Sequence, residues 1–250
     1  MSAGPPASGI EWLHAFMSLG CVHNNNWELQ GGGVLLLDQP VVWLVTATKV
    51  IEDLDGQDLV IWVRRKASVN LLNISETQRK TELDWLHHPC GISATMFPVD
   101  PSFIIRAFSH PQCTKARDLL PMMPVVSLGS LMGPDIQRAP HDLPAVQEGI
   151  ISTVDANSGL VHTTAPLLPR NAGAPLLLAP SHGTPATLAG ILLGNTIVPE
   201  PDPRMVPIRL AHAVTIEAAF ELIRSEAATK QRQRITESQP HQAENAGGNP

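Results

Sequence analysis

Apolar residues in this chain come in short runs of four to eight, each closed off by Gly, Pro, Asn or Asp. The runs are Gly33–Leu37, Val41–Thr46, Leu59–Val63, Val125–Leu128, Gly149–Val154, Gly159–Thr163, Pro175–Leu178 and Ala186–Leu193. Many are rich in Val, Ile, Leu and Thr, and each is too short for a core helix, so the pattern predicts strands. Helical spacing shows only at the two ends. Ile216, Ala219, Phe220 and Ile223 fall at i, i+3, i+4 and i+7, with Thr215 placed to cap the helix. Near the start, "GIEWLHAFMSL" fits a short helix or an amphipathic strand, and we read it as a helix. Many short strands and a terminal helix point to an all-β protein of two barrels rather than a βαβ series.

The 250 residues suffice for one large all-β domain or two small ones, with a sizeable core. Residues 1–9 are small and Pro-rich and read as a flexible N-terminus; 10–224 read as the folded domain, with the seam between its barrels at about 100–124. From 225 to 250 the chain turns polar and reads as a disordered tail. With 17 Lys+Arg against 23 Asp+Glu, the formal charge is −6 and no basic stripe stands out, so a nucleic-acid partner has no electrostatic footprint. No run approaches the roughly 20 apolar residues of a membrane span. "FMSLGC", ending at Cys21, resembles a lipoprotein cleavage box. However, the stretch before it has no Lys or Arg, carries Glu11 and begins with a Pro-Pro break, which a secretory signal does not tolerate. The expected compartment is the cytoplasm. Three cysteines, Cys21, Cys90 and Cys113, are an odd count without CxxC spacing and read as reduced thiols.

Three blocks of sequence stand in order along the chain. The first is Gly31-Gly32-Gly33 followed by "LVTATKVIEDLDGQDLVIWV"; the second is "LDWLHHPCGISATMFPVD"; the third is "LPRNAGAPLLL". Together they resemble the trypsin-like serine peptidases of the chymotrypsin fold (the PA clan). There a Gly-rich strand leads into Leu-Val-Thr-Ala-x-His-Val, a later segment reads Asp-Val-Ala-Val-x-Pro-Leu-Asp, and the nucleophile loop reads Pro-Gly-Asn-Ser-Gly-Gly-Pro. The flanking segments "VSLGSLMGP", "VQEGIIST" and "ATLAGILLG" also resemble family strands, so the likeness runs from about Gly31 to Ile223. It implies a trypsin-like double β-barrel with a C-terminal α-helix.

The same likeness implies that the catalytic residues are gone. Lys49 stands at the general-base histidine and Ala172 at the nucleophilic serine. Ser93, or Gly91 after a two-residue slip, stands at the aspartate. Acyl transfer on this template needs a hydroxyl that attacks, a base near neutral pKa and a buried anion to orient that base. Alanine carries no nucleophile, and a lysine, with a reference pKa near ~10.4, is normally charged. In the oxyanion loop, Arg170 replaces a glycine, Asn171 and Gly173 flank the lost serine, and Ala174 replaces a second glycine. The resemblance therefore implies a catalytically inactive homologue, a pseudoprotease, that works by binding a peptide or protein, as a regulator or scaffold. The competing class is an active hydrolase with an unconventional site; a third is a structural protein with a vestigial cleft.

Other readings of the same residues were weighed. Lys49 and Ser93 could form a Ser–Lys dyad, although the aspartate position lies behind the base, away from a substrate carbonyl. The ten histidines lack HExxH or Cys/His finger spacing, so no metal site and no cofactor is expected. Adjacent His87 and His88 would point to opposite faces of a strand. Cys113 with a histidine is a further nucleophile pair to consider. Arg170 and Lys49 could line a positively charged cleft suited to an acidic peptide or a chain terminus. Pro166, Gly190, Ile191 and Leu192 would wall the specificity pocket, and their apolar bulk predicts a shallow or filled one.

Overall fold

The computed structural model describes residues 13–14, 16–23, 26–54, 56–65, 69–130, 144–180, 185–198 and 208–238. The first half of the chain forms one sheet. Its strands are β1 (Phe16–His23), β2 (Asn26–Asp38), β3 (Val41–Ala47), β4 (Val60–Arg64), β5 (Val69–Asn73), β6 (Leu86–His88), β7 (Ile92–Met96) and the short β8 (Phe108–Ser109). Helix α1 (Thr48–Glu52) follows β3, and α2 (Ile74–Thr81) follows β5. The second half forms a closed barrel of β9 (Pro124–Gly129), β10 (Ala145–Asp155), β11 (Leu160–Thr163), β12 (Pro175–Leu178), β13 (Thr187–Val198) and β14 (Ile208–Thr215). Helices α3 (Ile216–Ile223) and α4 (Glu226–Ser238) end the described chain.

The two halves share one plan. The first sheet runs β5-β4-β1-β2-β3-β7-β6, with β8 added to β2, and the barrel runs β12-β9-β10-β11-β14-β13 before closing on itself. If β5 is set aside as an insertion, the fourth, first, second, third, sixth and fifth strands of each half stand side by side in that order. The sequence offers no repeat to match, because the halves share connectivity and not residues. Among the described residues the first half does not close: β5 and α2 lie between β4 and β6, and β6 is only three residues long.

All eight apolar runs lie in or on strands, and the reason is visible at β3. Val42, Leu44 and Ala47 point into the core of the first sheet. Trp43 and Val45, on the other face, join the cluster that fills the barrel and the space between the halves. A strand buried on both faces has no polar face to alternate with, so it reads as a continuous apolar run. Strand β2 is split in the same way, with Leu35 inward and Val34 and Leu36 toward the barrel.

Two expectations differ from the structure. Phe16–His23 is strand β1, and Leu13–His14 before it have 3-10 character; the rest of the N-terminal stretch read as a helix lies outside the described residues. Six consecutive residues from Phe16 to Cys21 are buried, which leaves no alternation to reveal a strand. The polar region after 225 begins with helix α4, not a tail without structure. Polar bonds dock it. Gln231 donates to the Asp84 carbonyl at 3.0 Å, and Arg232 bonds to Asp38 and stacks 5.4 Å from the centroid of Trp43. Residues 239–250 and 1–12 lie outside the described residues. Thr215 does occupy the N-cap of α3, although its side chain makes no capping bond.

Candidate functional site

The corner where β3 turns into α1 gathers the sequence-selected residues. Lys49 is the second residue of α1, and its side chain is exposed. Among the described residues it makes no ion pair. Ser93 pairs with Thr46 in the β3–β7 register and is fully buried. Its hydroxyl donates to Thr48 Oγ1 at 2.9 Å and lies 2.8 Å from His87 Nδ1. Gly91 sits in the turn before β7, where its carbonyl accepts from the Thr48 N–H at 2.8 Å. Both candidates for the aspartate position therefore hold Thr48, the neighbour of Lys49, and neither brings a negative charge.

The loop at 170–174 reaches the same corner from the barrel. The Ala172 carbonyl accepts from the Gly32 N–H at 2.7 Å. A Cβ on Gly31 would fall 2.4 Å from Val50 Cγ2 and 2.9 Å from the Ala172 oxygen, so only glycine lets these three segments meet. Gly173, at φ 87°, is tighter still, since a Cβ there would lie 2.2 Å from both Gly32 O and Thr46 Oγ1. Asn171 is buried and fastens the loop to the end of β9: its Oδ1 accepts from Ser130 N at 2.7 Å, and its Nδ2 donates to Ser130 O and Pro169 O. Ala174 is buried, and its carbonyl accepts from Leu192 N at 2.8 Å.

Arg170 takes φ 56°, a left-handed torsion that disfavours any side chain, at about 1 kcal/mol. Its guanidinium donates to the Leu29 carbonyl at 3.2 Å and stands 3.9 Å from the Glu28 carboxylate. That long cation is therefore drawn toward β2 and partly answered by an acid. Of the four residues expected to wall a pocket, Gly190, Ile191 and Leu192 are buried, and Val214 O stands 2.4 Å from where a Gly190 Cβ would be. Pro166 is exposed, and its carbonyl accepts from Ser127 Oγ.

The other candidates are not brought to the corner. Cys113 donates weakly to Ser109 O, and burial pushes its thiol up to about 12, so it is a poor nucleophile. The Ser–Lys dyad is not made, because Ser93 is committed to Thr48 and His87. His162 and His212 face one another across β11 and β14 with ring centroids 6.4 Å apart. Burial and the neighbouring His162 hold the pKa of His212 below its ordinary value. Among the described residues no group of three or more His, Cys, Asp or Glu side chains could hold a metal ion, and no helix is long and apolar enough to cross a membrane. One cluster escaped the sequence reading: Cys90, His88 and Glu221 stand in contact. Its only sequence signal is a His and a Cys on either side of Pro89. No family model and no curated protein matches this chain.

Proposed function

We propose that the chain is a trypsin-like double-barrel homologue of the serine peptidases that has lost its catalytic triad and binds a peptide or protein. One observation carries the reading: the segments holding Lys49, Ser93 and Ala172 converge on one corner, where a lysine, a buried serine tied to Thr48 and His87, and an alanine stand at the places of base, anion and nucleophile. Support for the fold comes from the shared strand order of the two halves and from the closed barrel of the second. Support for binding over turnover comes from the exposed Lys49, which among the described residues makes no ion pair, and from the buried, neutral Ser93. A fold keeps its surface after its chemistry is lost, so the surface is where function is sought.

A fluorophosphonate probe and a casein or mixed-peptide assay test the reading. No labelling and no cleavage are expected. Turnover that disappears on changing Lys49 or Ser93 would establish the competing class, a hydrolase with an unconventional site. An affinity pull-down from the native host, run with wild type and with Lys49→Glu, then tests the binding role. A partner lost in the variant places recognition at the corner; a partner retained places it elsewhere and counts against this reading.

A further inference from the structure

The contact between α3 and the β6–β7 hairpin contains a chemical device separate from the corner. Strands β6 and β7 are joined by Pro89, Cys90 and Gly91, with Gly91 N donating to His88 O at 3.0 Å. Gly91 takes φ 89°, the left-handed torsion a three-residue hairpin loop requires at that place. This tight loop folds Cys90 back over the imidazole two residues before it. Cys90 Sγ lies 2.8 Å from His88 Nδ1, and the Cys90 N–H also points at that nitrogen, at 3.3 Å. A ring nitrogen that receives an N–H is the unprotonated one, so the ring proton sits on Nε2. Nε2 in turn faces Glu221 Oε2 at 3.5 Å across the helix contact. Thiol, base and carboxylate thus stand in line, in the order that nucleophilic activation needs.

We propose that Cys90 is a base-assisted reactive thiol, with His88 as its base and Glu221 positioning the ring, and that its reaction partner is a small disulfide. As Sγ attacks one sulfur of R–S–S–R, its proton passes to His88 Nδ1. The new Sγ–S bond forms, the old S–S bond breaks, and the leaving thiolate takes the proton as RSH. Cys90 is oxidised to the mixed disulfide, and the small disulfide is reduced to one thiol. The imidazolium formed in passing faces the Glu221 carboxylate.

The surroundings select this chemistry over acyl transfer. The Gly91 N–H is taken by His88 O, Pro89 has none, the Cys90 N–H points at His88 Nδ1, and that of Ile92 turns to the sulfur. That leaves no donors in the turn for a carbonyl oxyanion, whereas an N–H aimed at sulfur favours thiolate formation. Burial, with the Glu221 charge as a lesser cause, pushes the resting thiol above its ordinary value. The group at rest is therefore S–H, and His88 is needed to release it. The other two thiols lack this arrangement: Cys21 is buried and receives a bond from Gln30 Nε2, and Cys113 is partly buried and donates to Ser109 O. The Gly91 carbonyl of the same turn accepts from the Thr48 N–H, which ties the Cys90 turn to the start of α1.

The test treats the folded full-length chain with glutathione disulfide and follows each cysteine by intact mass and peptide mapping. Cys90 is expected to react at least about tenfold faster than Cys21 or Cys113. His88→Asn should slow it at least about tenfold, and Glu221→Gln severalfold. In the double variant the Glu221 change should add nothing, because a positioning residue has no effect once its base is absent. That loss of additivity is what a merely structural role would not give. Equal rates for the three cysteines in wild type, or an unchanged Cys90 rate in a His88→Asn protein of unaltered melting temperature, would overturn the proposal. The wild-type comparison decides even if a variant fails to fold, and neither outcome depends on whether the corner binds a peptide.

Discussion

At the scale of single residues, the corner is held together by neutral hydrogen bonds. Ser93 is buried where the likeness to the peptidases implies an aspartate, and it bridges Thr48 and His87 instead of balancing an imidazolium. Ser93→Ala removes that bridge while His87 stays exposed to water, so a loss of about 1 kcal/mol is expected, read as a melting temperature lower by about 2–4 °C. Ala172→Ser introduces a hydroxyl while the His87 imidazole stays bonded to Ser93. No fluorophosphonate labelling is expected from that variant, and labelling would show that a base acts at the corner after all. That the segments of Lys49, Ser93 and Ala172 lie near one another agrees with the order of the three sequence blocks, whose turns are short. The Cys90–His88–Glu221 line is not legible in the sequence, because Glu221 lies on a helix far along the chain and only tertiary packing brings it to the hairpin.

At the scale of elements, visibility in the sequence follows burial. Strands β2, β3, β9 and β13 are apolar on both faces and announce themselves, whereas β6 has three residues and β14 carries Arg209 and His212 within its apolar run. Helix α4 shows only a thin apolar face, Ala228 fully buried and Ile235 partly so, and Gln231 and Arg232 add polar docking bonds. Asp38 anchors it. Burial alone would raise that carboxyl, but hydrogen bonds and charge from Arg232 and Arg224 outweigh it and hold the pKa below the ordinary 3.8. The unfolded chain therefore takes up its proton first as pH falls, and this stabilisation, fully present above about pH 4, is lost through the folded pKa. The protection of the Glu226–Ser238 amides, taken relative to intrinsic exchange at each pH, is expected to fall on acidification below that point. In Asp38→Asn the helix should be looser at neutral pH, by about 2 kcal/mol, with that local acid step abolished. Protection of α4 that is the same in both proteins would remove Asp38 as its anchor.

At the scale of the whole molecule, the halves are joined by backbone contact and a shared core. Gly173 passes so close to Gly32 and Thr46 that Gly173→Ala must part the loop from the sheet. Its left-handed torsion adds to the cost, and a loss of about 3 kcal/mol or more is expected, seen as a melting temperature lower by about 6–12 °C. The outer face of the first sheet, Trp43, Val45, Ile92 and Met96, is covered by the other half and the terminal helices. A fragment ending before Pro124 should therefore bind a hydrophobic dye and lack near-ultraviolet dichroism, and a dye-free, rigid fragment would show the halves to be independent. The clasp of Arg232 and Arg224 on Asp38 has a consequence in time as well. A ribosome makes β2 early and α4 only after both halves, so the nascent first sheet waits with Trp43 uncovered through the synthesis of the barrel. The order of synthesis sets that interval, and slower translation lengthens it.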